Sequence, residues 1–229
     1  MSDLASSYAG AGRKDEAIKL QEEALRLSRK VSGPEHPDTL EAMENLASVY
    51  FAAGRKDQAV KLREEVLAMS LRQDPKSTAS ADAYGWLGFD LDAVGRGEEA
   101  IKAWQEAVRI NPSGTRSVTY GLGKALVDRQ RYAEALPILR ATQKFYPDGK
   151  RGRETTERLA FAEAMLAGRD PLTPLRQTVD ANPADMDEAR RLATVYLWLG
   201  QTNEHEAICK KLLDLVANSK DSTSHECAA

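Results

Sequence analysis

Along the chain, apolar and small residues return every three or four positions, and no stretch sustains the alternation of a half-buried strand. The period is helical, and it is clearest between residues 81 and 114. Tyr84, Leu87, Gly88 and Leu91 form one stripe, and Gly95-Arg96-Gly97 interrupts it. Ala100, Trp104, Ala107 and Val108 form a second stripe, which stops at Asn111-Pro112. A proline there ends a helix, because its ring pushes the preceding residue out of the helical region. The pattern predicts a short helix, a tight turn and a second helix. The small side chains at Gly88, Ala100 and Ala107 predict that the two helices cross closely. Helix starts are expected at Asp38 and Asp185, each followed three residues on by a glutamate, Glu41 and Glu188, in the spacing of a reciprocal cap. There is no Asn-Gly hairpin signal, so the expected class is all-α.

The two-helix unit recurs. Residues 4–28, LASSYAGAGRKDEAIKLQEEALRLS, align with residues 46–70, LASVYFAAGRKDQAVKLREEVLAMS, at a period of 42. Leu4 falls on Leu46, Tyr8 on Tyr50, Gly12 on Gly54, Ala17 on Ala59 and Leu20 on Leu62. A leucine followed by a small residue then returns at Leu87-Gly88, Leu122-Gly123, Leu159-Ala160 and Leu192-Ala193, at spacings of 41, 35, 37 and 33 from Leu46 onward. One helical pair cannot bury its own apolar stripe, whereas stacked pairs share a continuous core, so the array is the expected folding unit.

These residues resemble the tetratricopeptide repeat (TPR) family. Tyr84, Leu87, Gly88, Leu91, Ala100, Trp104, Ala107 and Pro112 stand at its signature positions. Residues 116–147 repeat the match with Leu122, Gly123, Leu126, Ala135, Leu139 and Pro147, and Thr119 and Thr142 depart from it. Residues 1–75 are similar to the longer repeats of kinesin light chains, with the linker Gly33-Pro34-Glu35-His36-Pro37-Asp38-Thr39 between units. There Leu20 and Leu62 precede the usual aromatic position, which Gln21 and Arg63 occupy. Residues 154–183 match least, because Pro171 and Pro174 restrict the second helix; residues 187–218 recover the pattern with Leu192, Ala193, Tyr196 and Gly200. The resemblance implies a TPR solenoid of antiparallel helix-turn-helix pairs in a right-handed superhelix of about five to six repeats. One array over residues 1–229 is expected, with repeats near 1–36, 38–75, 79–114, 116–149, 153–183 and 185–218. Residues 219–229 read as the start of a truncated further helix, so the chain is expected to be a fragment or to lack flanking repeats. The whole chain also looks like arrays attached to bacterial serine/threonine kinases, although it carries neither His-Arg-Asp nor Asp-Phe-Gly.

In such a solenoid the first helices line a concave groove. Carrying over the family's groove positions selects Asn45, Ser48 and Phe51, then Trp86 and Phe89, then Tyr120 and Lys124, then Phe161 and Met165, and last Arg190, Thr194 and Trp198. Aromatics make up only 6% of the chain, yet the first helices hold many of them away from the core stripe, and exposed aromatics and arginine serve as binding anchors. The resemblance implies a partly apolar peptide with an acidic or polar flank as ligand. A clamp for a terminal carboxylate is not expected, because Lys124 and Arg190 are not in adjacent repeats. Replacing Trp86 and Phe89 together by alanine is expected to weaken binding with little loss of thermal stability.

Composition narrows the function classes. Of 229 residues, 32 are Lys or Arg and 35 Asp or Glu, a net charge of −3, which disfavours a dedicated nucleic-acid binder. Mean hydropathy is −0.50 and no apolar run approaches the roughly 18 residues of a membrane span. The start, Met1-Ser2-Asp3-Leu4, lacks the basic and apolar regions of a signal peptide, and two cysteines, Cys209 and Cys227, fit a reducing compartment. A cytoplasmic protein is expected. Gly121-Leu122-Gly123-Lys124-Ala125 superficially resembles a phosphate-binding loop, but Val118 and Ala125 stand where that loop needs Gly and Ser or Thr. Glu22-Glu23 and Glu64-Glu65 read as solvated helix faces. His205, Cys209, His225 and Cys227 are potential zinc ligands, yet His225-x-Cys227 is too tight for the usual spacing, so no metal and no cofactor are expected. Lys150-Arg151-Gly152-Arg153, with Lys144 nearby, reads as a solvated inter-repeat loop. The expected function is a non-catalytic scaffold that binds a protein or peptide, with no nucleic-acid or membrane partner. The alternatives are a regulatory C-terminal part of a signalling protein such as a kinase, or a module for end-to-end self-association.

Overall fold

The structure, a computed structural model, describes residues 13–183 and 185–218, with side chains through Asp214. Among the described residues there are eleven α-helices and no strand. They are α1 (Lys14–Val31), α2 (Pro37–Ala52), α3 (Lys56–Gln73), α4 (Thr78–Ala93), α5 (Gly97–Ile110), α6 (Arg116–Asp128), α7 (Tyr132–Phe145), α8 (Gly149–Leu166), α9 (Leu172–Ala181), α10 (Met186–Trp198) and α11 (Thr202–Asn218). This is a helix-turn-helix array, in which α2, α4, α6, α8 and α10 are the first helices of their pairs. The chain divides into two compact units, Met1–Leu122 and Gly123–Ala229, with the boundary inside α6.

The turn between the helices of a pair is built the same way five times. The left-handed residue is Gly54 (φ 82°), Gly95 (φ 84°), Gln130 (φ 58°), Gly168 (φ 63°) or Gly200 (φ 73°). The next N–H reaches back five residues to a carbonyl of the first helix: Arg55 to Tyr50 (2.8 Å), Arg96 to Leu91, Arg131 to Leu126, Arg169 to Ala164 and Gln201 to Tyr196 (each 2.9 Å). This closure satisfies carbonyls that the helix end leaves open, and glycine is the residue that enters the left-handed region without strain. Second helices end differently. Asn111, Tyr146 and Asn182 leave the helical region and prolines follow them at 112, 147 and 183.

Caps separate the pairs. Ser77 accepts from the N–H of Ser80 (3.1 Å) and Asp185 from that of Glu188 (3.1 Å), as expected for Asp185. The expected cap at Asp38 is not formed. His36 caps α2 through Nδ1, which accepts from the Asp38 N–H (3.2 Å), and Pro37 takes the first helical position. Proline is suited there because its missing N–H would have had no partner in the helix.

In the first unit each helix packs on the next, α1 on α2 through to α4 on α5. Leu25, Met43, Leu46, Ala47, Leu62, Val66 and Ala83 form one buried cluster, and Ala17, Ile18 and Val49 another. The expected close crossing is clear at Gly88. A Cβ there would sit 2.4 Å from the indole nitrogen of Trp104, which is fully buried and donates to the Gly85 carbonyl (3.2 Å). In the second unit α7 packs on α8, α9 on α10 and α10 on α11.

Two expectations for α8 fail. Lys150-Arg151-Gly152-Arg153 is the helical opening of α8, not a loop, and Arg151 stacks on the Tyr146 ring at 5.4 Å. Leu159-Ala160 is not the core pair either: Ala160 is exposed, Leu159 half-buried, and Phe161 and Ala162 are buried. The buried stripe of α8 runs through Gly152, Thr155, Arg158, Phe161 and Ala162. Tyr132 and Trp198 offer aromatic surface to Phe161, which outweighs the burial of Leu159.

Candidate functional site

In the first unit the site candidate lies between α2, α3 and α4. Arg63, at the position where the family signature has an aromatic, is 5% exposed. Its Nε donates to Asp90 Oδ2 (2.7 Å) and its Nη2 to Ser48 Oγ (3.1 Å), and its guanidinium lies 5.2 Å from the centre of the Trp86 ring. Asp90 is itself buried, so the pair ties α3 to α4 in a dry setting. Burial pushes the Asp90 carboxyl above its ordinary range, against the pull of Arg63. Glu44 is also pushed up, first by burial and then by the carboxylates of Asp82 and Glu41, with Arg63 opposing. Burial likewise raises Asp82. Trp86 is 50% exposed, one of the few large apolar side chains left so open.

In the second unit a cavity of about 390 Å³ opens between α8, α9 and α10. Ala160, Phe161, Pro174, Leu175, Val195 and Trp198 supply its apolar wall, and Glu157, Arg169 and Arg191 stand among its polar lining. A neighbouring space of about 370 Å³ shares Trp198 and Thr194 and adds Lys124, Asp128 and Arg158. The cause is local. α9 has only 10 residues, begins after Pro171 and contains Pro174, and buries only Leu172 among its side chains. A normal second helix would fill more of this volume.

The groove candidates separate accordingly. Trp86 is open as expected, and Lys124 is exposed with its Nζ 2.7 Å from Asp128. Asn45, Phe51, Phe89, Tyr120, Met165, Arg190 and Thr194 are half-buried, and Ser48 is exposed. Lys56 lies 5.8 Å from the Phe51 ring, and Arg190 pairs with Glu157 at 2.9 Å. Phe161 and Trp198 are not open aromatics: they are 3% and 8% exposed, 5.0 Å apart, with Phe161 edge-on to Tyr132 at 5.7 Å. They bury because the rotated stripe of α8 turns Phe161 inward and the indole closes over it, under the guanidinium of Arg158 at 5.4 Å. Phe89 packs edge-on against Trp104 at 5.3 Å, so its loss would damage the core; Trp86 is the separable probe. Glu44, Asp82, Asp90 and Arg158 were not singled out by the sequence pattern. The signal available for the first three was the distribution of charge between first and second helices.

Other chemistry is sparse. Gly121 to Ala125 lies inside α6, with Gly123 against Leu139. His205 and Cys209 approach to 3.6 Å, while His225 and Cys227 lie outside the described residues. Among the described residues no group of three or more His, Cys, Asp or Glu could hold a metal, and no helix is long and apolar enough to cross a membrane.

Two tetratricopeptide repeat family models match the chain, over residues 1–72 and 87–150. No curated protein matches it. Solved structures with a similar fold include the nearly identical TPR-like repeats of a putative kinesin light chain of Podosopora anserina: 21% identity, covering 96% of this chain and 95% of that one, TM-score 0.58. A tetratricopeptide repeat protein from Parabacteroides merdae aligns at 15% identity over 93% of this chain and 77% of its own, TM-score 0.63. BtubC (BKLC) from P. vanneervenii aligns at 19% identity over 94% and 78%, TM-score 0.58.

Proposed function

We propose, from the premise that this chain belongs to the tetratricopeptide repeat family, that it is a non-catalytic scaffold whose first helices dock a peptide segment of a partner protein. TPR arrays are in general protein-interaction scaffolds, and we extend that reading to a groove on this chain and to a cytoplasmic setting. The observation that carries it is the cavity between α8, α9 and α10. Its volume, about 390 Å³, suits a bulky apolar side chain, its wall is apolar, and its rim is charged. Phe161 and Trp198 act as its floor, so an incoming side chain gains apolar burial at about 25 cal/mol per Å² without the protein first having to expose its core.

A plug tests this. Unstructured peptides selected from a display library on the purified chain should carry a large apolar residue. Ala160→Phe, at an exposed wall position, should weaken their binding by about tenfold or more while the thermal midpoint holds. If the plug leaves every selected peptide bound, the cavity is not the docking site. Attachment to a serine/threonine kinase is proposed on the sequence resemblance alone, and a kinase domain in the same reading frame would establish it.

A further inference from the structure

The first unit distributes its charge by helix. The two complete first helices, α2 and α4, carry Asp38, Glu41, Glu44, Asp82, Asp90 and Asp92, and neither contains a lysine or arginine. Most cations of the unit lie on α1, α3 and α5 or just before them, with Lys76 ahead of α4 and Arg116 opening α6, and several are neutralised by neighbouring glutamates. Arg26 pairs with Glu23 (2.6 Å), Arg96 with Glu99 (2.6 Å) and Arg109 with Glu106 (2.7 Å). Arg63 is the cation brought to Glu44, and its hydrogen bonds go to Asp90 and Ser48. Among the described residues the carboxylates of Glu44 and Asp82 make no hydrogen bond or salt bridge; Glu44 is half-buried and Asp82 is exposed. One turn along α4 from Asp82 stands the half-open indole of Trp86, whose ring already meets the Arg63 guanidinium at 5.2 Å and leaves further aromatic surface to a cation.

We propose that the α2–α4 face of the first unit docks a lysine- or arginine-bearing segment of a partner protein, with a cationic side chain placed between Glu44 and Asp82 and against Trp86. The argument is charge complementarity joined to an uncovered aromatic. A basic side chain supplies a counter-ion to Glu44 and Asp82 and covers the open part of the indole; an acidic segment would add negative charge beside those two carboxylates, which Arg63, bonded to Asp90 and Ser48, does not pair. This departs from the acidic or polar flank expected for the groove. It rests on the peptide-docking reading above, but concerns a different unit and different residues.

The probes are a short acetylated and amidated Lys/Leu/Ala peptide and its Glu/Leu/Ala counterpart, titrated calorimetrically into the whole chain. The basic peptide should bind, with affinity falling as salt rises. Glu44→Gln with Asp82→Asn should weaken it by about tenfold or more, and Trp86→Ala should weaken it by at least about fivefold. The control, Glu23→Gln with Glu106→Gln, removes the same charge from second helices and should leave binding within about twofold. Both double variants retain side-chain volume, and their circular dichroism and melting should match the parent.

Equal loss in both double variants would reduce the effect to net charge and overturn the proposal. So would no binding of the basic peptide, or tighter binding of the acidic one. A dimer of the chain alone that dissociates in Glu44→Gln with Asp82→Asn would assign the face to a second copy, and would also overturn it. Tighter binding of the acidic peptide, abolished by Trp86→Ala, would sink only the charge assignment and keep peptide docking. The cavity as a docking site is tested separately, by Ala160→Phe in the other unit.

Discussion

At the scale of the residue, Arg63 and Asp90 show how a departure from the repeat signature is tolerated. A charge in the interior costs several kcal/mol unless paired and hydrogen-bonded, and here one guanidinium reaches a carboxylate, a hydroxyl and an indole face. Removing one partner should therefore cost more than removing both. Arg63→Met is expected to destabilise the chain by about 3–5 kcal/mol, because it strands the Asp90 carboxylate. Arg63→Met with Asp90→Leu should recover most of that loss. Urea unfolding of the two variants checks this, and a single-variant loss under about 1 kcal/mol would mean that the pair does not hold α3 to α4. The sequence marked Arg63 as out of place at an aromatic position. It could not name Asp90, which is 27 residues away and looks like any helical aspartate, because the pairing depends on how α3 and α4 cross.

Helical elements were largely legible, since a period of three to four and glycine turns are local properties. What escaped was rotation of a helix about its own axis. Leu159-Ala160 and Phe161-Ala162 are both plausible core pairs two residues apart, and only the surfaces presented by Tyr132 and Trp198 decide between them. The same limit hid the burial of Phe161 and Trp198 while leaving Trp86 correctly open. The turns allow a sharper statement. Gln130 holds the left-handed position that glycine fills in the other four first-to-second-helix turns. A side chain there costs about 1–2 kcal/mol, and glycine's extra freedom when unfolded returns about 0.5–1. Gln130→Gly should raise stability by about 0.5–1 kcal/mol, seen as a higher thermal midpoint. A fall in the midpoint would show that the glutamine side chain has a stabilising role of its own.

For the whole molecule, net charge was a poor guide, because −3 averages over α2 and α4, whose only charged side chains are carboxylates, and first helices further along, such as α8, that are rich in lysine and arginine. The position of each charge, rather than the total, carries the information about partners. Stability is uneven in the same way. α4 and α5 enclose Trp104, whereas α9 is short, buries only Leu172 and includes Pro174. Repeat arrays open locally, so amide hydrogen exchange should be slowest around Trp104 and fastest in α9. Uniform protection along the chain would contradict this. The recurring closure from the residue after each left-handed turn to a carbonyl five positions earlier also bears on how the chain is made. Each loop needs only neighbouring sequence. A ribosome adding about 5–20 residues per second takes seconds to deliver one hairpin, whereas a helix forms in about a microsecond. Every hairpin can thus be complete before the next emerges, and whole hairpins can be gained or lost between descendants without rewriting those already made.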